Sequence, residues 1–164
     1  MISALFDEEL SFVAKEELSR QRVAGPFLRR LGTIFVRRTE LLGSVEDSTS
    51  VTRHIRAGER IVSFPEGTLT RKPGLLPFRL GPFLSAAQSG VPIIPVALRG
   101  TRSILRGEQW FPRKGHLRVW IGDPITARST EFNAAVALRD RIRAEMLQHT
   151  QEPDLSAERI EIRP

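Results

Sequence analysis

The side chains best equipped for chemistry stand together in Phe64-Pro65-Glu66-Gly67-Thr68-Leu69-Thr70-Arg71-Lys72, where an apolar run from Arg60 to Phe64 meets a carboxylate, a glycine, two hydroxyls and two cations. That is the composition of a loop that handles phosphate. Pro65 has a fixed φ and no amide donor, so strand pairing ends there, while Gly67 permits a backbone angle or a close ligand approach that a side chain would block. Amides around Gly67 and Thr68 would then form an anion-binding concavity, with Arg71 and Lys72 adding charge. A tight surface turn has the same composition, and local physics alone leaves the two readings level.

Such a loop needs strands and helices to hold it, and the flanking pattern alternates between the two. Ser11 to Ala14 reads as a short strand. A helical segment from about residue 16 to residue 31 follows, broken or kinked at Gly25 and Pro26, with Leu18, Val23, Phe27 and Leu31 expected to face inward. Thr33 to Val36 is a second strand, and a helix from about Asp47 to Ala57 stops at Gly58. Arg60 to Phe64 is the strand that feeds the loop. A small-residue helix from Gly81 to Gln88 tolerates Pro82 in its first turn and ends at Gly90. Pro92 to Leu98, the most apolar run, is expected to be a central strand with irregular pairing at Pro95. His116 to Ile121 alternates as a strand, and a long helix from Glu131 to Gln148 closes the unit. The spacing predicts an α/β fold, a mixed, largely parallel sheet flanked by helices, with ligands at the strand ends. Residues 1–150 form a single domain in this reading, and residues 151–164 a flexible tail.

Composition narrows the partners. The chain has 164 residues, a formal charge of +6 and a pI near 11.1, which favours anionic partners without choosing between nucleic acid, phosphorylated metabolites and anionic membrane. Cysteine is absent, so disulfides and thiolate metal sites are excluded. No apolar run approaches the roughly 20 residues of a spanning helix, and no signal peptide is evident. Between Ile104 and Lys114, Trp110, Phe111 and Pro112 lie among Arg106, Arg113 and Lys114. Rings beside cations suit a membrane interface, and equally a connector packed on a sheet edge. The cations form no stripe and no nucleic-acid motif occurs, so nucleic acid is not expected as a partner.

Four pieces of the chain resemble, in order and spacing, the motif blocks of the glycerolipid acyltransferases that include 1-acyl-glycerol-3-phosphate acyltransferase. Gly32-Thr33-Ile34-Phe35-Val36-Arg37-Arg38 resembles the second block through Gly32, Phe35 and Arg38, and Phe64-Pro65-Glu66-Gly67-Thr68 resembles the third. Pro77-Phe78-Arg79-Leu80-Gly81 is similar to the basic segment that follows, and Val91-Pro92-Ile93-Ile94-Pro95-Val96 to the fourth block. The resemblance implies transfer of a fatty acyl group from acyl-CoA or acyl-carrier protein, as co-substrate, to a glycerophosphate or lysophospholipid hydroxyl. It implies no further cofactor and no metal. Glu66, Gly67 and Thr68 would organise the acceptor, with Arg38, Arg71, Lys72 and Arg79 as candidates for its phosphate; Gly32, Phe35, Phe64, Pro65, Pro92 and Pro95 would be scaffold. It also implies a cytoplasmic enzyme, peripheral at the inner face of the cell membrane.

The family's base is a histidine in a first block, His-x-x-x-x-Asp, upstream of the segment resembled here by Phe12 to Lys15. Met1 to Glu9 contains no histidine. His54 and His116 read as surface or boundary residues, and His149 with Asp154 reproduces the block's spacing only by coincidence, beyond the fourth block. The chain is therefore expected to be truncated at its N-terminus relative to the family and inactive alone. The missing block would lie in frame within about ten residues before Met1. Two alternatives stay open: a histidine supplied by a separate chain, or a non-catalytic remnant that still binds lipid or acyl carrier.

Overall fold

The computed structural model describes residues 9–22, 24–36, 45–68, 72–104, 111 and 113–157. Strand β1 (Leu10–Lys15) lies between β2 (Ile34–Val36) and β3 (Arg60–Val62), parallel to both. The register sets Ala14 beside Phe35 and Phe12 beside Val62. Parallel neighbours require crossovers. Helices α1 (Glu16–Ser19) and α2 (Ala24–Arg30) supply the first, and α3 (Val45–Arg56) the second. The same direction in β2 and β3 makes the chain leave both strands at one edge of the sheet, where Glu66 follows β3.

Beyond the loop come α4 (Gly81–Ser89), β4 (Val96–Arg99), α5 (Thr101–Ile104), β5 (Arg118–Ile121) and α6 (Phe132–Thr150). Strands β4 and β5 form a separate antiparallel pair. Helix α4 packs between α3 and α6 and buries five successive residues from Phe83 to Ala87, which is why its sequence is apolar or small all round. Phe78, Phe83, Leu84, Ala135, Leu138 and Ile142 make the main core, while Ile34, Val36 and Val51 form a second cluster under the parallel sheet. The closing helix presents Ala135, Leu138 and Ile142 at helical spacing.

Glycine ends α3 at Gly58 and α4 at Gly90, as expected. Gly90, at φ +67°, caps α4 by donating to the Ala87 carbonyl, and Pro82 sits in that helix's first turn. Gly32, at φ +65°, follows α2 while Thr33 N donates back to Leu28 O at 3.1 Å, so the glycine expected as motif scaffold stands as a helix cap.

Three expectations are corrected. The first helix breaks after Ser19, upstream of Gly25 and Pro26, and the break resets the helical phase. Phe27 and Leu31 are therefore 63% and 45% exposed, and α2 turns Gly25 inward, where an added Cβ would lie 2.3 Å from Ser19 O; Val23 lies outside the described residues. The run from Pro92 to Leu98 yields a strand only from Val96, paired with β5 alone among the described strands. Two prolines without amide donors leave an isolated bridge at Ile93 and a bond from Gly122 N to Pro95 O at 2.9 Å. Finally, residues 153–155, inside the segment expected as tail, lie along Leu75: Leu75 N donates to Pro153 O at 2.8 Å and Leu155 N to Leu75 O at 3.1 Å. The Leu155 side chain is buried.

Candidate functional site

The loop after β3 is a closed turn. Gly67 N donates to Phe64 O at 3.0 Å, with Pro65 second and Gly67 fourth, the positions those residues favour in such turns. Gly67 has φ +67°, a left-handed angle that glycine adopts without strain. Its amide therefore points into the turn, which removes one of the two donors expected for an anion. Thr68 and Phe64 are exposed and Glu66 is half-buried. The returning chain is tied to the same turn, because Arg79 N donates to Pro65 O at 2.8 Å.

Glu66 does not face open solvent. Its Oε2 accepts from Leu76 N at 2.9 Å. Burial pushes its carboxyl above the ordinary value; the Leu76 amide and the charges of Arg102 and Arg143 pull the other way, and Glu152 adds to the rise. Arg102, on α5, lies 3.7 Å from Glu152. Arg143, on α6, donates from Nε to Leu76 O at 3.2 Å and from Nη2 to Leu75 O at 2.8 Å, and also reaches Asp154 Oδ1 at 2.5 Å.

Of the expected phosphate ligands, Arg38 and Arg71 lie outside the described residues. Lys72 is exposed beside the loop's return. Arg79 has a buried Nε with no acceptor among the described residues. A buried guanidinium donor left unpaired is costly, and an anion would satisfy it.

His54 and His149 are engaged elsewhere. His54 Nδ1 lies 2.8 Å from Glu59 Oε1, a contact that lowers the Glu59 carboxyl, with Ser11 assisting. The His149 ring stacks on Trp120, centroids 3.6 Å apart, while Asp154 turns to Arg143. The spacing of His149 and Asp154 therefore makes no dyad. Among the described residues no cluster of His, Cys, Asp or Glu is arranged to hold a metal, and no helix is long and apolar enough to cross a membrane. Phe111 is 84% exposed near exposed Arg113 and Lys114; Arg106, Trp110 and Pro112 lie outside the described residues.

Sequence reasoning missed Arg102, Arg143 and Glu152, and set Asp154 aside. The available signal was slight: Arg143 follows Ile142 at the border of the buried stripe of α6, where a cation covers the core's edge.

Asp154 supports a prediction of its own. Arg143 first, and then the Ser156 amide, hold its carboxyl down to about 2 from the ordinary 3.8. The folded state thus favours the carboxylate, so the contribution is present above pH 3.8 and lost as pH falls through about 2. Thermal melts of Asp154→Ala should lie below wild type at neutral pH, and the gap should close on acidification across that window. A gap independent of pH would show that the ion pair is not its source.

The comparisons with known proteins agree with this architecture. The family model described as Acyltransferase matches residues 1–99, and the chain belongs to that family. Over 119 residues it is 29% identical to the 1-acyl-sn-glycerol-3-phosphate acyltransferase BAT2, chloroplastic, of Brassica napus, covering 72% of this chain and 35% of that protein. Over 136 residues it is 28% identical to 1-acyl-sn-glycerol-3-phosphate acyltransferase alpha of Homo sapiens, covering 82% of this chain and 48% of the relative. The chain thus spans from 35% to 48% of the length of these relatives. The crystal structure of the 1-acyl-sn-glycerophosphate (LPA) acyltransferase PlsC from Thermotoga maritima superposes with a TM-score of 0.69 at 23% identity, covering 92% of this chain and 59% of that one. That likeness concerns the fold. Glu66, Gly67 and Arg79 fall within the family match, whereas Arg102, Arg143 and Asp154 lie beyond it.

Proposed function

We propose that this chain binds and orients the acceptor of an acyl transfer, a glycerophosphate or lysophospholipid whose free hydroxyl takes a fatty acyl group from acyl-CoA or acyl-carrier protein. In that reaction the hydroxyl oxygen attacks the thioester carbonyl, a C–O bond forms, the C–S bond breaks, and the hydroxyl proton ends on the departing thiol. Positioning the hydroxyl and accepting its proton are separate tasks. The residues of this chain fit the first. Arg79, with Arg38 and Lys72 as further cations, takes the phosphate, and Glu66 orients the glycerol end. The observation that carries this reading is the buried Nε of Arg79, without an acceptor among the described residues, on the segment bonded to the Glu66 turn.

A binding role without turnover is the second reading for the chain by itself, because His54 and His149 are held by Glu59 and Trp120. Calorimetric titration with glycerol 3-phosphate and with glycerol tests the acceptor site directly. The phosphate ester should bind and glycerol should not, and Arg79→Ala or Arg38→Ala should weaken binding about tenfold or more, as expected for a charge-assisted bond. Arg37→Ala should have little effect. Equal affinity for the two ligands, or indifference to both arginines, would remove the phosphate anchor.

Acyl transfer by the chain alone should fall short by about 10²- to 10⁴-fold of the same domain supplied with a general base, and His149→Ala should not change it. Turnover abolished by that substitution would place His149 in the site.

A further inference from the structure

We propose that Arg143 is a positioning residue for Glu66: it grips the carbonyls of Leu75 and Leu76, braces itself on Asp154, and so fixes the backbone amide that orients the Glu66 carboxylate. This rests on the reading of Glu66 as the residue that orders the acceptor. The contacts run without a gap from the C-terminal segment to the loop. Asp154 Oδ1 accepts from Arg143 Nη2 at 2.5 Å. The same nitrogen donates to Leu75 O at 2.8 Å, and Nε to Leu76 O at 3.2 Å. On the other side of that residue, Leu76 N donates to Glu66 Oε2 at 2.9 Å.

The guanidinium suits this task better than an ammonium would. Its donors lie in one rigid plane and reach two successive carbonyls at once, whereas lysine offers a mobile point charge. The side chain is only 12% exposed and its Cζ lies 5.9 Å from the Phe78 ring centroid, so the fork is held over an aromatic face. Leu75 is clamped a second time by its backbone bonds to Pro153 and Leu155. Gly74 closes the join: its φ of +137° is one that residues with side chains rarely adopt, and a Cβ there would also push the Leu155 side chain aside.

Glu66 alone cannot set its own direction, because a half-buried glutamate side chain has several rotamers open to it. One hydrogen bond to a fixed amide selects among them. The donor is fixed by groups from α6 and residues 153–155, outside the segment that matches the family model. Among the described residues, the charged groups acting on the carboxylate are Arg102 on α5, Arg143 on α6 and Glu152, with Asp154 paired to Arg143.

Nuclear magnetic resonance of the isotope-labelled full chain tests this without requiring turnover. In wild type the Leu76 amide proton and the Glu66 carboxyl carbon should titrate together. Arg143→Lys, which keeps the charge and loses the fork, and Asp154→Ala, which leaves Arg143 but removes its brace, should each reduce the titration amplitude of the Leu76 amide by about half or more as that hydrogen bond lengthens. The remaining amide spectrum should keep its dispersion. Arg143→Gln should in addition raise the Glu66 midpoint, since a neighbouring positive charge is lost. A merely structural arginine would lower thermal stability in these variants and leave the coupling intact. Unchanged Leu76 amplitude in both Arg143→Lys and Asp154→Ala would overturn the proposal, whatever happens to Arg143→Gln. Glycerol 3-phosphate added to the same samples separates this inference from the acceptor reading. Coupling lost in the variants while wild type ignores the ligand upholds the clamp and defeats the acceptor assignment.

Discussion

Gly100→Val should destabilise the protein by at least ~3 kcal/mol in chemical denaturation. Gly100 has φ +92°, and a Cβ built there would lie 2.1 Å from the His116 carbonyl oxygen. That atom belongs to backbone and cannot swing aside as a side chain would. Valine adds a β-branched penalty in a region of φ that it almost never occupies. Gly90 provides the control: its φ is +67°, and no heavy atom lies within 4 Å of the added Cβ. Gly90→Ala should therefore cost only the left-handed penalty, about 1–2 kcal/mol. Equal losses at the two positions would mean that the backbone angle matters and the collision does not. The consequence reaches the site, because Gly100 O accepts from Ser103 N at 3.1 Å and from Ser103 Oγ at 2.7 Å. Those bonds start α5, the helix that brings Arg102 toward Glu66 and Glu152.

Elements set by local rules are legible from residue types. Gly58 and Gly90 stop helices because left-handed angles suit glycine, Pro82 is harmless in a first turn, and alternating strands and helices require parallel pairing of β1, β2 and β3. Legibility fails where distant contacts decide. Phe27 and Leu31 fit one helical face only if the helix runs unbroken, and the break after Ser19, which brings Gly25 against Ser19 O, changes which face is buried without altering the periodic pattern. Pro92 to Leu98 has the composition of a central strand, yet with two amide donors missing its pairing among the described residues is an isolated bridge at Ile93 and the short ladder with β5. The site divides in the same way. Glu66, Gly67 and Arg79 are visible because turn chemistry and motif order are local. Arg143 and Leu76 are separated by 67 positions, and a cation at the edge of a helical stripe looks the same in sequence whether it meets water or a carbonyl.

Gly67→Val should impair the candidate site most, lowering glycerol 3-phosphate affinity by about 100-fold, or ~2.7 kcal/mol, while Thr68→Ala costs about 1 kcal/mol or less. Two causes act at Gly67. Its φ of +67° strains any β-branched residue, and reopening the turn from Gly67 N to Phe64 O would move Glu66 away from the Leu76 amide. Thr68 is exposed, so its loss should leave denaturation midpoints nearly unchanged. Gly67→Asn separates the two causes, because asparagine tolerates the left-handed region better than other residues with side chains. If the glycine serves only the turn, the asparagine variant should approach wild type in both stability and affinity. If ligand approaches the Gly67 backbone closely, stability should recover while affinity stays low. An affinity loss larger for Thr68→Ala than for Gly67→Val would reverse the assignment and make the Thr68 hydroxyl the direct ligand.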